Sequence, residues 1–174
     1  FYQTNLLTEA EKQLGILIKN TEELSSLIAV GLPLKADNQL FNCAVLFRKG
    51  KILGVVPKTY IPNYGEFYEY RWFAPSFKRI SNRIMLCGQE VPFNENLLFK
   101  DADSELCIGV EICEDLWAPI PPSSYHALHG ANLILNLSAS NDVAEKAEYR
   151  RNLVCQQSAR CIAGYVYASA GESE

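Results

Sequence analysis

The chain has 174 residues, of which 48% are hydrophobic and 21% are charged, and its formal net charge is −4. These proportions are typical of one ordinary globular domain, and they exclude a disordered or fibrous chain. A small negative charge provides no basic field, so we expect neither nucleic acid nor an anionic membrane as a partner, and we expect a small-molecule substrate.

Hydrophobic residues occur in short runs along the whole chain. None of these runs approaches the roughly 20 residues that are needed to cross a bilayer. The first residues lack the charged, apolar and small-residue order of a signal peptide. We therefore expect a cytoplasmic protein.

Six cysteines are too poorly spaced to predict a disulfide framework. Cys107 and Cys113 lie on one predicted strand, about 20 Å apart, and Cys155 and Cys161 lie about 9 Å apart along a predicted helix. Neither pair can form a disulfide. No C-x-x-C motif and no closely spaced Cys/His group suggests zinc, so we expect reduced thiols and no metal.

The first elements are a helix and a strand. Apolar residues at three- and four-residue steps predict an amphipathic helix over residues 5–19. The apolar run over residues 27–32 predicts a buried strand, which we expect Pro33 to end.

A β-hairpin is the next predicted element. Its strands are residues 40–47 and 52–56, and a polar turn that contains Gly50 joins them. The hairpin ends at Lys58. Residues 59–82 are rich in aromatic, proline and charged residues without a helical or strand period, which is typical of a long functional loop.

Strands and helices alternate in the second half of the chain. The predicted elements are a strand over 106–112, a short helix over 123–130, a strand over 132–137, a helix over 144–163 and a strand over 165–168. This alternation indicates an α/β protein built from layers of sheets and helices.

Cys113 is the first candidate for chemistry. A thiol at the end of a buried strand, where the chain turns, can project from a rigid scaffold while the next backbone N–H groups face the same space. That arrangement provides a nucleophile and an oxyanion donor. The alternative is a cysteine that only packs in the core. Glu114 and Asp115 directly after it predict that the turn is not deeply buried.

Lys58 is the second candidate. An ammonium group near a thiolate favours the charged sulfur and later the oxyanion. The alternative is an exposed lysine at the end of a strand. Glu66 could orient the ammonium group or could be a solvated carboxylate. His126 and His129, three residues apart, could bind a metal, but ordinary packing or exposure is the favoured interpretation.

Four segments carry a resemblance to a known family. Val55–Glu69, which reads V-V-P-K-T-Y-I-P-N-Y-G-E-F-Y-E, resembles the lysine segment of the nitrilase, or carbon-nitrogen hydrolase, superfamily. Gly109–Trp117, which reads G-V-E-I-C-E-D-L-W, resembles its cysteine segment. Together with Asn136–Asn141 and Tyr165–Glu172, these segments are similar to the glutaminase domain of glutamine-dependent NAD synthetases in particular.

The resemblance implies a nitrilase-like α-β-β-α sandwich and a Glu-Lys-Cys triad that hydrolyses an amide through a thioester. It implies that Cys113 is the nucleophile, that Lys58 stabilises the thiolate and the oxyanion, and that Glu66 is the second, orienting glutamate. It also implies that several residues line the glutamine pocket, namely Tyr64, Glu114, Trp117, Ser140 and Lys146.

The same resemblance implies what surrounds the segment. Residues 1–174 are expected to be the central part of one glutaminase domain, incomplete at both ends, with the general-base glutamate before Phe1 and the synthetase domain absent. ATP, magnesium and deamido-NAD are expected in the intact enzyme, which is expected to be a homo-oligomer, and no cofactor is expected in this segment. A stand-alone amidase that acts on another carboxamide and an inactive structural fragment are the alternatives.

Overall fold

A computed structural model describes residues 3–141, 143 and 145–169. The chain divides into two compact units, Phe1–Glu95 (the first unit) and Asn96–Glu174 (the second unit). In these described ranges, no helix is both long enough and apolar enough to cross a membrane.

The described residues of the first unit form one α-helix and five strands. They are α1 (Thr4–Asn20), β1 (Ile28–Ala36), β2 (Gln39–Arg48), β3 (Lys51–Pro57), β4 (Arg83–Leu86) and β5 (Gln89–Pro92). Strands β1, β2 and β3 form an antiparallel sheet in that order, and β4 pairs with β5 in a separate hairpin. The predicted helix and the predicted hairpin are confirmed. Lys49 and Gly50, both with positive φ, form the tight turn between β2 and β3.

Pro33 does not end its strand, contrary to the prediction. Strand β1 continues to Ala36, and Pro33 lies opposite Asn42 of β2. The carbonyl of Asn42 lies on the side of β2 away from β1, where it accepts the N–H of Lys58 at 2.8 Å. An edge strand tolerates a proline at a position that donates no hydrogen bond to the sheet.

The core of the first unit lies between α1, the sheet and the β4–β5 hairpin. Leu14 and Ile18 of α1 are buried in it. The rings of Phe41 and Phe93 meet edge to face, with their centroids 5.4 Å apart. Alternate residues of β2 contribute to this core, namely Phe41, Cys43, Val45 and Phe47. The period of two is that of a strand with one face on the core.

The described residues of the second unit form four strands and two α-helices. They are β6 (Leu98–Lys100), β7 (Cys107–Ile112), α2 (Pro122–Leu128), β8 (Leu133–Leu137), α3 (Lys146–Cys161) and β9 (Gly164–Ala168). The sheet order is β6-β7-β8-β9, and β7, β8 and β9 are parallel. The carboxyl ends of these three strands therefore lie at one edge, where open α/β sheets place their ligands.

A close contact between β7 and α2 explains why residue 109 is a glycine. A Cβ atom on Gly109 would lie 2.8 Å from the Cβ and Nδ1 atoms of His126. His126 is 1% exposed, whereas His129 is exposed and its Nδ1 lies 2.8 Å from the carbonyl of Tyr125. Within the part of the chain that the structure describes, no group of three or more His, Cys, Asp or Glu side chains could hold a metal ion.

Candidate active site

Lys58 lies directly after β3 and is held at both its backbone and its side chain. Its N–H donates to the carbonyl of Asn42, and its own carbonyl accepts the N–H of Ser76 at 2.9 Å. The side chain is only 1% exposed. Its Nζ donates to both carboxylate oxygens of Glu69, at 2.9 and 2.8 Å. The interpretation of Lys58 as an exposed lysine at a strand end is therefore wrong.

The partner of Lys58 is a residue that the sequence did not single out. Glu69 begins a short 3-10 turn, Glu69–Arg71, in the long loop. A buried ammonium group requires a hydrogen-bonded counter-charge, because an isolated buried charge is strongly destabilising. The sequence placed Glu66 and Glu69 in the same aromatic loop and offered no way to choose between them. Glu66 is exposed, and its orienting role stays a prediction.

Tyr64 lies in the same loop. It is 58% exposed, and its ring meets that of Phe67 edge to face at a centroid distance of 5.9 Å. Tyr64 is thus accessible from solvent, and its role in a glutamine pocket stays a prediction.

Cys113 has a strained backbone. It directly follows β7 and begins a 3-10 turn, Cys113–Trp117, and its φ is 46°. A residue with a Cβ in this left-handed region loses about 1–2 kcal/mol relative to the right-handed one. Such strain persists only where the surroundings hold the backbone in place, and it is concentrated at functional sites.

Two side chains hold the strained backbone. The N–H of Ile112 donates to Oδ2 of Asp115 at 2.9 Å, and the N–H of Cys113 donates to Oδ1 of Asn136 at 3.0 Å. Asp115 is 1% exposed, so the prediction that the acidic pair keeps the turn out of the interior is wrong for this residue. Asp115 can be buried because its carboxylate accepts the backbone N–H of Ile112, the last residue of β7. An oxyanion donor must come from an N–H group later in the turn.

A buried polar network lies behind the turn. Glu111, the fifth residue of β7, is 1% exposed. One carboxylate oxygen accepts the N–H of Ser123 at 2.9 Å, and the other accepts the hydroxyl of Tyr165. Nδ2 of Asn136 donates to the same hydroxyl at 3.0 Å. Burial raises the pKa of the Glu111 carboxyl, and the hydrogen bond from Tyr165 opposes that rise.

A second tyrosine of β9 also lies near the nucleophile candidate. The hydroxyl groups of Tyr167 and Ser138 are 2.5 Å apart, and the guanidinium of Arg150 lies 5.8 Å from the centre of the Tyr167 ring. Burial is the main cause that raises the pKa of Tyr167. The hydrogen bond with Ser138 and the charge of Arg150 oppose this rise, whereas the charge of an ionised Cys113 adds to it. Tyr167 and Cys113 are thus close enough to interact electrostatically.

Four of the predicted pocket residues lie in the second unit, where the structure gives the contacts or the exposure of each side chain. The ring of Trp117 stacks on Tyr149 with centroids 5.4 Å apart, and Nζ of Lys146 lies 5.4 Å from the centre of the Trp117 ring. Lys146 also donates to Asn141. Ser140 and Glu114 are half-buried. An aromatic face beside an ammonium group is suited to a small polar ligand that carries a carboxylate.

The six thiols differ in their access to solvent. All six cysteines are free. Cys43 and Cys107 are buried, and burial raises the pKa of Cys43 well above its usual value. Cys155 is exposed on α3, and Cys113 is half-buried at the edge of the sheet.

Comparison with known proteins places these features in a family. The family profile for carbon-nitrogen hydrolases matches residues 2–171. A glutamine-dependent NAD(+) synthetase of Mycobacterium bovis is 43% identical over 173 residues, which are 99% of this chain and 25% of that protein. The human glutamine-dependent NAD(+) synthetase is 34% identical over 160 residues, which are 88% of this chain and 23% of that protein. The chain thus spans about a quarter of the length of these curated relatives.

Solved structures agree with this assignment. A glutamine-dependent NAD(+) synthetase from Cytophaga hutchinsonii has a TM-score of 0.77 and 29% identity over 93% of this chain and 26% of that chain. A carbon-nitrogen hydrolase from Helicobacter pylori has a TM-score of 0.67 and 22% identity over 95% of this chain and 53% of that chain, which shows the shared fold alone. The expected nitrilase-like α/β fold is confirmed. The chain belongs to the carbon-nitrogen hydrolase family.

Proposed function

We propose that this chain hydrolyses the side-chain amide of glutamine and supplies the ammonia for ATP-dependent amidation of deamido-NAD to NAD. The observation that carries the proposal is Cys113, a half-buried thiol on a strained turn at the carboxyl edge of parallel strands. Sequence identity of 43% and 34% to two glutamine-dependent NAD(+) synthetases supports the choice of reaction.

In the proposed reaction, the Cys113 sulfur attacks the carboxamide carbon of glutamine. The oxyanion that forms is stabilised by Lys58 and by a backbone N–H that follows Cys113 in the turn. The C–N bond then breaks, the nitrogen gains a proton and leaves as ammonia, and a glutamyl thioester remains. Water loses a proton as it attacks the thioester, which releases glutamate and the free thiol.

The proton transfers require a general base. We assign it to a glutamate outside residues 1–174, as in the family that the chain resembles. Glu69 is half-buried against Lys58 and neutralises the lysine charge, so it is a poor candidate for this role. We propose that Glu66 orients the lysine and that Tyr64, Glu114, Trp117, Ser140 and Lys146 line the glutamine pocket.

We further propose that residues 1–174 are the central part of one glutaminase domain within a longer, homo-oligomeric protein. Its synthetase domain would bind ATP, magnesium and deamido-NAD, and residues 1–174 would bind none of them. Six unpaired cysteines are compatible with a cytoplasmic location.

The test uses the full-length gene product with deamido-NAD, ATP and either glutamine or ammonia as the nitrogen source. Cys113→Ala is expected to abolish glutamate release and glutamine-dependent NAD formation while ammonia-dependent NAD formation persists. Glutamate release that survives Cys113→Ala contradicts the assignment of the nucleophile. Hydrolysis of other carboxamides without any NAD formation would instead indicate a stand-alone amidase.

A second measurement tests the position of the base. The purified 174-residue chain is expected to release no glutamate, because none of its carboxylates matches the general base of the family. Steady turnover by this chain that Cys113→Ala abolishes would place the base within residues 1–174.

A further inference from the structure

We propose that Glu111, Tyr165 and Asn136 are positioning residues that hold the backbone of Cys113 through a chain of hydrogen bonds with one fixed direction. The inference rests on the proposed role of Cys113 as nucleophile. It adds three residues that touch neither the thiol nor the substrate in that mechanism.

The backbone N–H of Cys113 sets the direction of these hydrogen bonds. A backbone N–H can only donate, so the amide of Asn136 must present its oxygen to Cys113, as it does at 3.0 Å. The NH₂ group of Asn136 must then face the other way, where it donates to the hydroxyl oxygen of Tyr165 at 3.0 Å. The tyrosine hydrogen is left to be donated to a third group.

Glu111 is that third group. Its carboxylate accepts the tyrosine hydroxyl on one oxygen and the N–H of Ser123 on the other. The side chains of Ser123 and Asn136 also donate to this carboxylate, which turns the NH₂ group of Asn136 to the same side. A carboxylate can accept on both oxygens, whereas a neutral amide can accept on only one. The acceptor at position 111 therefore fixes the orientation of the Asn136 amide and, through it, the bond to Cys113. Glu111 and Asn136 are 1% and 0% exposed, so water cannot readily replace a lost partner.

The same strands contain a matched site that lacks the tyrosine and the glutamate. At the opposite end of β7, the N–H of Cys107 donates to Oδ1 of Asn132 at 2.9 Å, and Asn132 donates to the backbone carbonyl of Glu105. Cys107 has no positive φ, and Asn132 is exposed. An asparagine can thus hold a strand end with backbone partners alone. The buried side-chain network occurs at the end where the backbone is strained.

Glu111→Gln tests the direction because it keeps the size of the side chain and changes only what it can accept. The new amide must turn its oxygen to the N–H of Ser123, so its NH₂ group faces Tyr165. Either the tyrosine hydrogen or the N–H of Cys113 then loses its acceptor. We expect the alkylation of Cys113 by iodoacetamide in the full-length gene product to slow by about tenfold or more, the scale of one unmade buried hydrogen bond.

Glu111→Gln combined with Asn136→Asp is the rescue. An aspartate at position 136 accepts the N–H of Cys113 on one oxygen and the tyrosine hydroxyl on the other, and the glutamine NH₂ group donates to the tyrosine oxygen. Every group again has a partner, and the total formal charge is that of the parent. We expect the double variant to alkylate Cys113 within about threefold of the parent rate, although each single variant is slow.

Two controls distinguish a loss of Cys113 positioning from a general loss of folded structure. Asn132→Asp makes the same substitution at the matched site and is expected to leave the Cys113 alkylation rate within about twofold. The alkylation of exposed Cys155, which peptide mapping measures in the same sample, should be equal in all variants. Thermal unfolding followed by circular dichroism shows at which temperature every variant is folded.

The outcomes are decisive in both directions. The proposal is overturned if the reductions in Cys113 alkylation rate of the two single variants multiply in the double variant. It is also overturned if the substitutions lower the thermal stability and leave the Cys113 alkylation rate unchanged. If Glu111→Gln does not fold, a folded double variant supports the proposal and an unfolded one contradicts it. Glutamate release that survives Cys113→Ala contradicts the assignment of Cys113 as the nucleophile and not the network, because thiol alkylation reports the hydrogen bonds to the Cys113 backbone whether or not this thiol attacks glutamine.

Discussion

Lys58 and Cys113 each follow the last residue of a strand, but the two units hold them in different ways. Lys58 directly follows β3, and its buried ammonium group is held by the carboxylate of Glu69. Cys113 enters a left-handed turn, and its backbone N–H is held by the amide of Asn136. The cation is positioned by charge pairing at its tip, whereas the thiol is positioned through its backbone.

The difference follows from the chemistry of the two side chains. A lysine has four flexible methylene groups, so only a partner at the ammonium group can fix its position. A cysteine sulfur is bonded directly to Cβ, so the backbone conformation and a single torsion, χ1, determine where the sulfur lies. Variants that act on the tip of Lys58 or on the backbone near Cys113 should therefore have separable effects.

The largest effect is expected from Lys58→Ala. We expect the full-length gene product to lose about a hundredfold or more in glutamine turnover, the scale of one oxyanion donor. Lys12→Ala is the matched control, because Lys12 forms an exposed ion pair with Glu9 on α1. Turnover within a few-fold of the parent, with an unchanged circular dichroism spectrum, would show that Lys58 has only a structural role.

Glu69→Ala should reduce stability as well as turnover. It leaves the ammonium group of Lys58, which is 1% exposed, without the carboxylate that accepts its hydrogen bonds. Because Glu69 is itself 26% exposed, we expect a loss of about 1–3 kcal/mol in the free energy of unfolding, measured by urea titration. Glu9→Ala, which breaks the exposed pair, should change the same quantity by less than about 1 kcal/mol. Equal losses in the two variants would contradict the burial argument.

The backbone of β7 can be tested with one added methyl group. Gly109→Ala places a Cβ 2.8 Å from His126, and the near atom is the histidine Cβ, which cannot move without the helix. We expect a loss of about 1–3 kcal/mol in thermal unfolding experiments, as for overpacked cores. Gly31→Ala on β1 is the control in the other unit, because no atom lies within 4 Å of its added Cβ. A loss in Gly31→Ala as large as in Gly109→Ala would show that strand propensity causes the effect.

The smallest expected effect concerns the acid stability of the first unit. The side-chain hydroxyl and the backbone N–H of Ser81 lower the pKa of Asp37, and the N–H of Ile80 adds to this effect. A lowered pKa stabilises the folded state above the ordinary value of 3.8, and this contribution is lost as the pH falls through the lower, folded value. The stability difference between the parent and Asp37→Asn should therefore shrink as the pH falls below about 4.

Urea midpoints measured in steps from pH 7 to pH 3 check this sign. A difference that grows on acidification would contradict it. Glu111 in the second unit has the opposite shift, because burial raises its pKa, so its contribution is present below the ordinary value of 4.5 and is lost as the pH rises through the folded value. Asp37→Asn should not alter that part of the profile.

Most helices and strands were predictable from the sequence, and the three shortest strands were not. Helix α1, the β2–β3 hairpin and the strand that precedes Cys113 follow from hydrophobic period and turn residues, and the structure contains all three. Strands β4, β5 and β6 have only three or four residues each, which is too short for a period of two to be recognised. They form because a hairpin partner or a neighbouring strand provides their hydrogen bonds.

From the sequence alone, the family and the two chemical candidates, Cys113 and Lys58, could be identified, because a nucleophile motif and a lysine motif are contiguous along the chain. The tertiary structure alone decided what holds them. Glu69 lies 11 residues from Lys58, Asn136 lies 23 residues from Cys113, and Tyr165 lies 54 residues from Glu111. No local sequence pattern identifies the one carboxylate or amide that becomes the hydrogen-bond partner over such separations. The partner depends on which strands pair and on which polar side chains are buried away from water.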